Sequence, residues 1–311
     1  FFLPNEGNMG SNKATIDYFD YETGVYTKNI YAERNPGVVK ELGDVGNDIQ
    51  IYGDKLYAVI NCSHFVEVMD VNTAKHITQI SIPNCRYLAF KDRYAYVSSY
   101  AGPVLIDPNA RLGYVAKVDT VTLQVVDTCT VGYQPDELVV VGNKLYVANS
   151  GGYRVPNYDN TISVIDLETF TEIKKIEVAI NLHRLELDKY GYLYVSSRGD
   201  YYYTPSKTFI IDTKTDQVIK TLNLLPNTEM TLCGDSLYIY STEWSYLTNS
   251  NTISYAIYDV AKRKTVTRNF ITDGTEKEIA IPYGIAVNPE TKEFFVTDAK
   301  DYVTPGTLYC F

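Results

Sequence analysis

The sequence is poor in the residues that carry most enzymatic and metal chemistry. Its 311 positions hold three His, three Met, one Trp and five Cys. With three His and no Cys-x-x-Cys pair, no zinc ligand set is visible. The cysteines are Cys62, Cys85, Cys129, Cys233 and Cys310. Their odd number leaves at least one without a disulfide partner in the chain. Most are expected to be buried small hydrophobes, with a Cys62–Cys85 disulfide left open. Cations are also scarce. The 28 Lys and Arg against 38 Asp and Glu give a formal charge of −10, which argues against nucleic acid or an anionic membrane as partner. The longest purely aliphatic run is Leu138–Val141, far short of a membrane span. No Gly-x-Ser-x-Gly elbow, His-Glu-x-x-His or phosphate-cradling glycine loop occurs. No signal peptide or lipobox is present and the chain opens on Phe1, which reads as a trimmed or mature segment.

What the sequence does have is tyrosine, 29 of them. Tyrosine favours strands and binding surfaces, and a repeat separates the two uses. A turn followed by an aromatic strand recurs as Gly53-Asp-Lys-Leu-Tyr57, Gly142-Asn-Lys-Leu-Tyr146, Tyr190-Gly-Tyr-Leu-Tyr194 and Gly234-Asp-Ser-Leu-Tyr238, with weaker copies ending at Tyr96 and Phe295. Behind each comes an alternating strand that ends in Asp, with Thr three residues on: Asp20/Thr23, Asp70/Thr73, Asp119/Thr122, Asp166/Thr169 and Asp212/Thr215. Asp259 keeps the acid but has Lys262 in place of Thr. Asp at the first position of a turn accepts backbone N–H bonds, so these acids read as hairpin turns and not as calcium ligands.

Each unit therefore holds four short strands, A to D. In the best copy they are Glu137–Val141, Lys144–Asn149, Thr161–Asp166 and Glu172–Val178. Seven units in 311 residues have the length of propeller blades, so the fold expected is all-β, a single seven-bladed β-propeller with four-stranded antiparallel blades. The blades fall at about 1–31, 47–81, 86–131, 136–178, 183–222, 228–271 and 283–311. The first has B at Phe1–Asn5, C at Ala14–Asp20 and D at Val25–Tyr31, but no A. The last has A at Gly284–Asn288, B at Glu293–Thr297 and C at Thr307–Phe311, but no D. The expectation is that the natural chain continues past Phe311 and closes the ring with the two missing strands.

In such blades the B–C and D–A connections share one face. The B–C loops here are long: Asn5–Asn12, Ser99–Gly113, Asn149–Asn160, Ser197–Ser206, Ser241–Asn251 and Thr297–Gly306, with only Asn61–His64 short. Long loops on a rigid scaffold are where function concentrates. They carry Tyr100, Tyr153, Tyr158, Tyr201, Tyr202, Tyr203, Trp244, Tyr246 and Tyr302, beside Arg111, Arg154, Arg198, Asp200, Asn149, Asn160 and Glu243. Aromatic rings with Arg and Asn read as a recognition surface for a large ligand or a protein. Near the axis, the D–A junctions place Asn47, Arg86, Asp136, Arg184, Glu229 and Tyr283, a mixture that speaks against a cation cage. His183 is a lone axial candidate for acid–base work, with a structural role as the plainer reading. No nucleophile is paired with a base, so the protein is expected to be non-catalytic, with no cofactor and no metal.

The x-Leu-Tyr-Val-x-Asn strand and the Val-x-Val-Ile-Asp-x-x-Thr turn, best preserved at Leu145–Asn149 and Ile162–Thr169, resemble those of YncE-like propellers across the whole chain. The opening Asn5-Glu-Gly-Asn-Met-Gly-Ser-Asn12 is similar to surface-layer-type lipoprotein propellers of Gram-negative gut bacteria. That resemblance implies an extracytoplasmic protein, lipid-anchored at the outer cell surface by a segment this chain lacks. Some members of the group bind vitamin B12 and other corrinoids and hand them to a TonB-dependent outer-membrane transporter. A corrinoid is broad, with a flat ring and amide arms, and an aromatic, Asn- and Arg-rich face suits it. Corrinoid capture by a protein monomeric on its own is the first functional expectation. A protein-interaction or glycan-binding surface module is the second, and a propeller lyase or lactonase the third.

Overall fold

Six times along the chain a strand ends in Asp, or one residue before it at Asp20, and reverses in the same way. The Oδ1 of Asp20, Asp70, Asp119, Asp166 and Asp212 accepts from the N–H two residues on, at 2.8–3.1 Å. The residue four places on from each of the six acids is left-handed: Gly24, Ala74, Leu123, Phe170, Asp216 and Arg263, with φ between 51° and 68°. Its N–H closes back on the Asp carbonyl at 2.8 Å in the turns at Asp20, Asp70, Asp119 and Asp212. The strand pairing then slips by one residue, as between Val68 and Met69 or Ile210 and Ile211. This is a four-residue hairpin loop that closes on a left-handed residue, with a bulge in the strands behind it. At Asp259 the lysine found in place of Thr supplies a different tie, Lys262 Nζ to Asp259 Oδ2 at 2.9 Å.

These hairpins join antiparallel sheets of consecutive strands. The computed structural model describes residues 1–38, 41–222 and 227–311. Among the described residues 26 strands form seven sheets, of three strands at each end of the chain and four in the five between. The fold is an all-β, seven-bladed β-propeller. In blade 4 strands B and C occupy Lys144–Asn149 and Thr161–Asp166, as the alternation of the sequence requires, while A starts two residues early at Pro135–Val141 and D covers Thr171–Glu177. Blade 1 departs from expectation. Its D strand is only Tyr26–Thr27, and a five-residue helix, Ile30–Arg34, takes the place of the rest. Asn29 stops the strand: it is left-handed, with φ 48°, and its side chain accepts from Ala32 N–H. The helix buries Ile30 and Tyr31 against Ile16, Leu56 and Met69.

The described chain divides into two compact units, residues 1–158 with 163–174, and residues 159–162 with 175–311. In the first, inter-blade cores hold Val59, Val68, Leu88 and Val97, then Val115, Leu138, Val147 and Ile165. In the second they hold Ile210, Met230, Ile239 and Ala256, then Tyr240, Tyr255, Ile279 and Val296. The strand-B tyrosines Tyr57, Tyr96, Tyr146 and Tyr194 are all at most 2% exposed and belong to this scaffold. Tyr238 is only half-buried, and Tyr240 takes the fully buried place in its strand. The D strands are the most exposed, as outer edges are.

All five cysteines are free thiols, so Cys62 and Cys85 form no disulfide. Cys85 is tied instead to the Phe65 carbonyl, and Cys62 to the Asn61 side chain. Only Cys85 and Cys129 are fully buried. Cys62 and Cys233 are half-buried and Cys310 is exposed, so burial of most of them is not what the fold provides.

Candidate functional site

Three blades share one wiring where strand B gives way to its loop. Strand B ends at Ser99, Asn149 and Ser197 in blades 3, 4 and 5. The next N–H, that of Tyr100, Ser150 or Arg198, donates to the carbonyl of Asn84, Gln134 or Asn181, at 2.9–3.1 Å. Those three residues sit at the turn into strand A with φ of 47–55°. Their side chains reach further into the loop: Asn84 and Asn181 donate to the carbonyls of Gly102 and Gly199, and Gln134 Oε1 accepts from Tyr153 N–H at 2.7 Å. Sequence reasoning missed these clamps, although all three residues stand directly before the first residue of strand A.

Pairing register then decides which side chains match between blades. Cys85 pairs Ser99, Pro135 pairs Asn149, Leu182 pairs Ser197 and Pro282 pairs Asp298. The matching positions one residue on are therefore Arg86, Asp136, His183 and Tyr283. In blade 5 this corrects the expectation, which placed Arg184 there. The same bulge follows in blades 3, 4 and 5, between Cys85 and Leu88, Pro135 and Leu138, and Leu182 and Leu185, so the count from the paired residue holds in each.

In the first unit, Arg86 Nε lies 3.2 Å from Asp136 Oδ1, and the same oxygen accepts the Tyr100 hydroxyl at 2.7 Å. The guanidinium sits over the Tyr100 ring, 4.9 Å from its centre. Asn47 donates to the Arg86 carbonyl. Tyr100 is 3% exposed, and Tyr153 meets it edge-on at 6.4 Å. Arg154 stacks on Tyr133 at 3.5 Å and bonds the carbonyls of Asn157 and Pro108, so it braces two loops. Asn149 is fully buried, with Nδ2 on Ser163 and Oδ1 on Gly132 N–H, and also acts as a brace. Tyr158 is half-buried. Arg111 is exposed at the rim of a pocket of about 270 Å³ that it shares with Tyr100 and Gln134.

In the second unit, Glu229 is held by Arg184, Nε to Oε2 at 2.7 Å, and by His183, Nε2 to Oε1 at 3.4 Å. His183 is 2% exposed, and its Nε2 also lies 2.8 Å from Arg198. Burial alone would raise the Glu229 carboxyl, but Arg184, His183 and Arg198 outweigh it and hold the group below the usual carboxylate range. Two residues past Arg184 in strand A of blade 5, burial pushes the Glu186 carboxyl up to about 7 against the pull of Arg184.

Beside this cluster lies a cleft of about 420 Å³, lined by Arg198, Tyr201, Tyr202, Tyr203, Glu243 and Trp244 among others. Tyr202 stacks on Tyr246 with centroids 4.9 Å apart and planes 19° apart, and Trp244 meets Tyr246 edge-on at 6.1 Å. Tyr203 is 82% exposed. The segment carrying the three tyrosines is folded over Asp200, whose Oδ1 accepts the N–H groups of Tyr202, Tyr203 and Thr204. Burial works against its ionisation, but these three bonds prevail and lower its pKa. Gly199 makes the entry possible: its φ is +66°, and a Cβ there would lie 1.9 Å from the Thr204 carbonyl oxygen. Across the cleft, the segment expected as a loop over Ser241–Asn251 is a β-hairpin. Strands Ser236–Ser245 and Ser250–Asp259 stay paired to the tip, so Trp244 stands in a strand opposite Asn251 and Tyr246 opens the turn. The alternation of polar and β-favouring residues in Ser241–Ser245, faced by the β-favouring Thr252, Ile253 and Tyr255, supports this extension. Glu243 ties the two sides by accepting from Ser206 N–H at 3.0 Å. In the last blade Tyr283 and Tyr302 meet edge-on at 5.9 Å, away from the residues that line the cleft. Among the described residues no three His, Cys, Asp or Glu side chains converge as a metal site would require.

An all-β blade scaffold with an aromatic cleft between a loop and an extended hairpin defines the class, a seven-bladed β-propeller. The chain belongs to the family described as domain of unknown function (DUF5074), whose model matches residues 1–307. No curated protein matches it in sequence. Solved structures share the fold at low identity. Hydrazine synthase of Kuenenia stuttgartiensis matches over 85% of this chain and 76% of its own, at 17% identity and a TM-score of 0.65. A chain of the mitotic checkpoint complex matches over 95% and 83%, at 10% identity and 0.66. The WD40 domain of Neurospora crassa Pan2 matches over 81% and 76%, at 12% identity and 0.56.

Proposed function

We propose that this protein is a non-catalytic binding protein whose ligand lies in the cleft between Tyr201–Tyr203 and Trp244. The observation that carries the reading is the stacked Tyr202–Tyr246 pair, flanked by Trp244 and bordered by Arg198 and Glu243. Stacked and edge-on rings give broad apolar contact, and the two charged side chains orient polar groups at its margin. A ligand with a flat ring system and amide or hydroxyl arms meets both demands. A corrinoid is such a ligand, so the reading is corrinoid capture at the outer surface of a Gram-negative cell, by a lipid-anchored protein that passes its cargo to a TonB-dependent transporter.

Titration of the purified chain with cyanocobalamin and with cobinamide tests this. Heat of binding and retained corrinoid absorbance are expected, both lost in Tyr202→Ala. An absence of heat and of retained colour with both corrinoids rejects the corrinoid reading. The exposure of Tyr203 and of Leu247 at the hairpin tip, 82% and 62%, favours a second reading, a glycan or protein ligand on the same rings. Binding on a glycan array, or capture of an outer-membrane protein, in the absence of corrinoid binding would select it.

A further inference from the structure

The pocket of the first unit differs in chemistry from the aromatic cleft. It encloses about 270 Å³, with walls from Tyr100, Pro103 and Leu105 and rim groups Asp107, Arg111 and Gln134. The loop that builds it also turns apolar side chains to solvent: Leu105, Ile106 and Leu112 are 48%, 71% and 41% exposed. Arg111 is the unusual member. Arg34, Arg86 and Arg93 of the same unit each have a carboxylate partner, and Arg154 is spent on two carbonyls and a ring. Among the described residues Arg111 makes no ion pair and no hydrogen bond. Asp107, the acid on the rim, is turned into its own loop, where Oδ1 accepts from Asn109 N–H at 2.8 Å.

The pocket is also built in advance. Asp107 N–H donates to the Tyr153 carbonyl at 2.9 Å, Arg154 reaches the Pro108 carbonyl, and Asn84 holds Gly102. At the end of the loop, Gly113 packs where a Cβ would lie 2.2 Å from Pro135 Cδ. A loop already fixed at these points has little ordering entropy left to lose when a ligand enters.

We propose that this pocket binds a small amphipathic carboxylate. An aryl or short alkyl body lies on the Tyr100–Pro103–Leu105 wall, and the carboxylate pairs with the Arg111 guanidinium. The size fits, since an apolar cavity of roughly 150 Å³ accepts a benzene ring. The guanidinium fork matches a carboxylate in two parallel bonds, and an unpaired arginine gives up no existing partner to form them. This site rests on different residues from the cleft and does not depend on what the cleft binds.

Calorimetric titration of the full chain at pH 7.5 with phenylacetate, hexanoate, phenylacetamide and hexanamide tests the proposal. The acids are expected to bind at least tenfold more tightly than their amides. Arg111→Gln abolishes that preference and Arg111→Lys keeps part of it. Leu105→Asp weakens the acids through the other end of the ligand. Arg111 is exposed and without bonds, so circular dichroism should show Arg111→Gln folded as the parent. Equal affinity for acid and amide, unchanged affinity in Arg111→Gln, or no binding of any of the four compounds overturns it.

Discussion

The Tyr100 hydroxyl donates to Asp136 Oδ1 at 2.7 Å, across the junction between one blade and the next. Asp136 is fully buried and also faces Arg86, so one carboxylate satisfies a phenol and a guanidinium together. Asp136→Ala removes both interactions and leaves Arg86 largely buried without its counter-ion. Breaking a buried pair from one side costs about 3–5 kcal/mol. Urea unfolding should show a loss of that order, and a smaller one in Asp136→Asn, which keeps a carbonyl acceptor. Equal stability of Asp136→Ala and the parent would mean that the pair is not formed.

Gly199 controls the shape of the aromatic segment. Its left-handed φ and the 1.9 Å approach of a Cβ to Thr204 O forbid a side chain without movement of the segment. Gly199→Ala should therefore alter the fluorescence of Trp244, the single tryptophan of the chain, and weaken ligand binding. Far-ultraviolet circular dichroism should stay that of a β protein, because the blade cores do not include this turn. An unchanged Trp244 spectrum would speak against the tight turn.

Glu186 should make stability depend on pH near neutrality. Burial raises its carboxyl from 4.5 to about 7, with Arg184 opposing. The folded state then holds a proton that the unfolded state releases between those values. Stability falls as pH rises through this window and levels off above 7. Glu186 is half-buried, so solvent reduces the effect to about 1–2 kcal/mol. Glu186→Gln should flatten the stability profile between pH 5 and 8. A mutant with the parent's slope would assign the effect to another group.

Tyr202 and Trp244 separate recognition from scaffold. Tyr202 is 50% exposed, and Trp244 is half-buried near the hairpin tip. Alanine at either position should weaken ligand binding tenfold or more while leaving the unfolding midpoint within a degree or two. Stacked rings contribute about 0.5–1.5 kcal/mol beyond the area that they bury, so Tyr202→Phe should bind nearly as well as the parent. Cooperative unfolding at a markedly lower temperature in Tyr202→Ala would return that ring to the scaffold.

The repeat was legible because its physics is local. An Asp that accepts from the next N–H groups, a left-handed residue four places on and period-2 alternation all operate within about ten residues, so each copy in the sequence states its own turn and strands. The ends of blades 1 and 7 followed from the same count. The exceptions arose where a single residue changed the local preference, as Asn29 does in ending a strand and capping a helix.

The site was legible only in part. Sequence located the aromatic residues, and most of those expected on the second unit's loops do line one cleft. It did not separate Tyr202, which stacks in the open, from Tyr100, whose hydroxyl serves Asp136 36 positions away. Nor did it show that Asn149 and Arg154 are braces while Arg111 stands unbonded, or that His183 and not Arg184 holds the position matching Arg86 and Asp136. Sequence by itself determined the blades, their order and the tyrosines of strand B, because turns and alternation are short-range. Tertiary structure decided which charges meet and which rings face solvent. Those outcomes depend on packing between blades, which is not written in any single repeat.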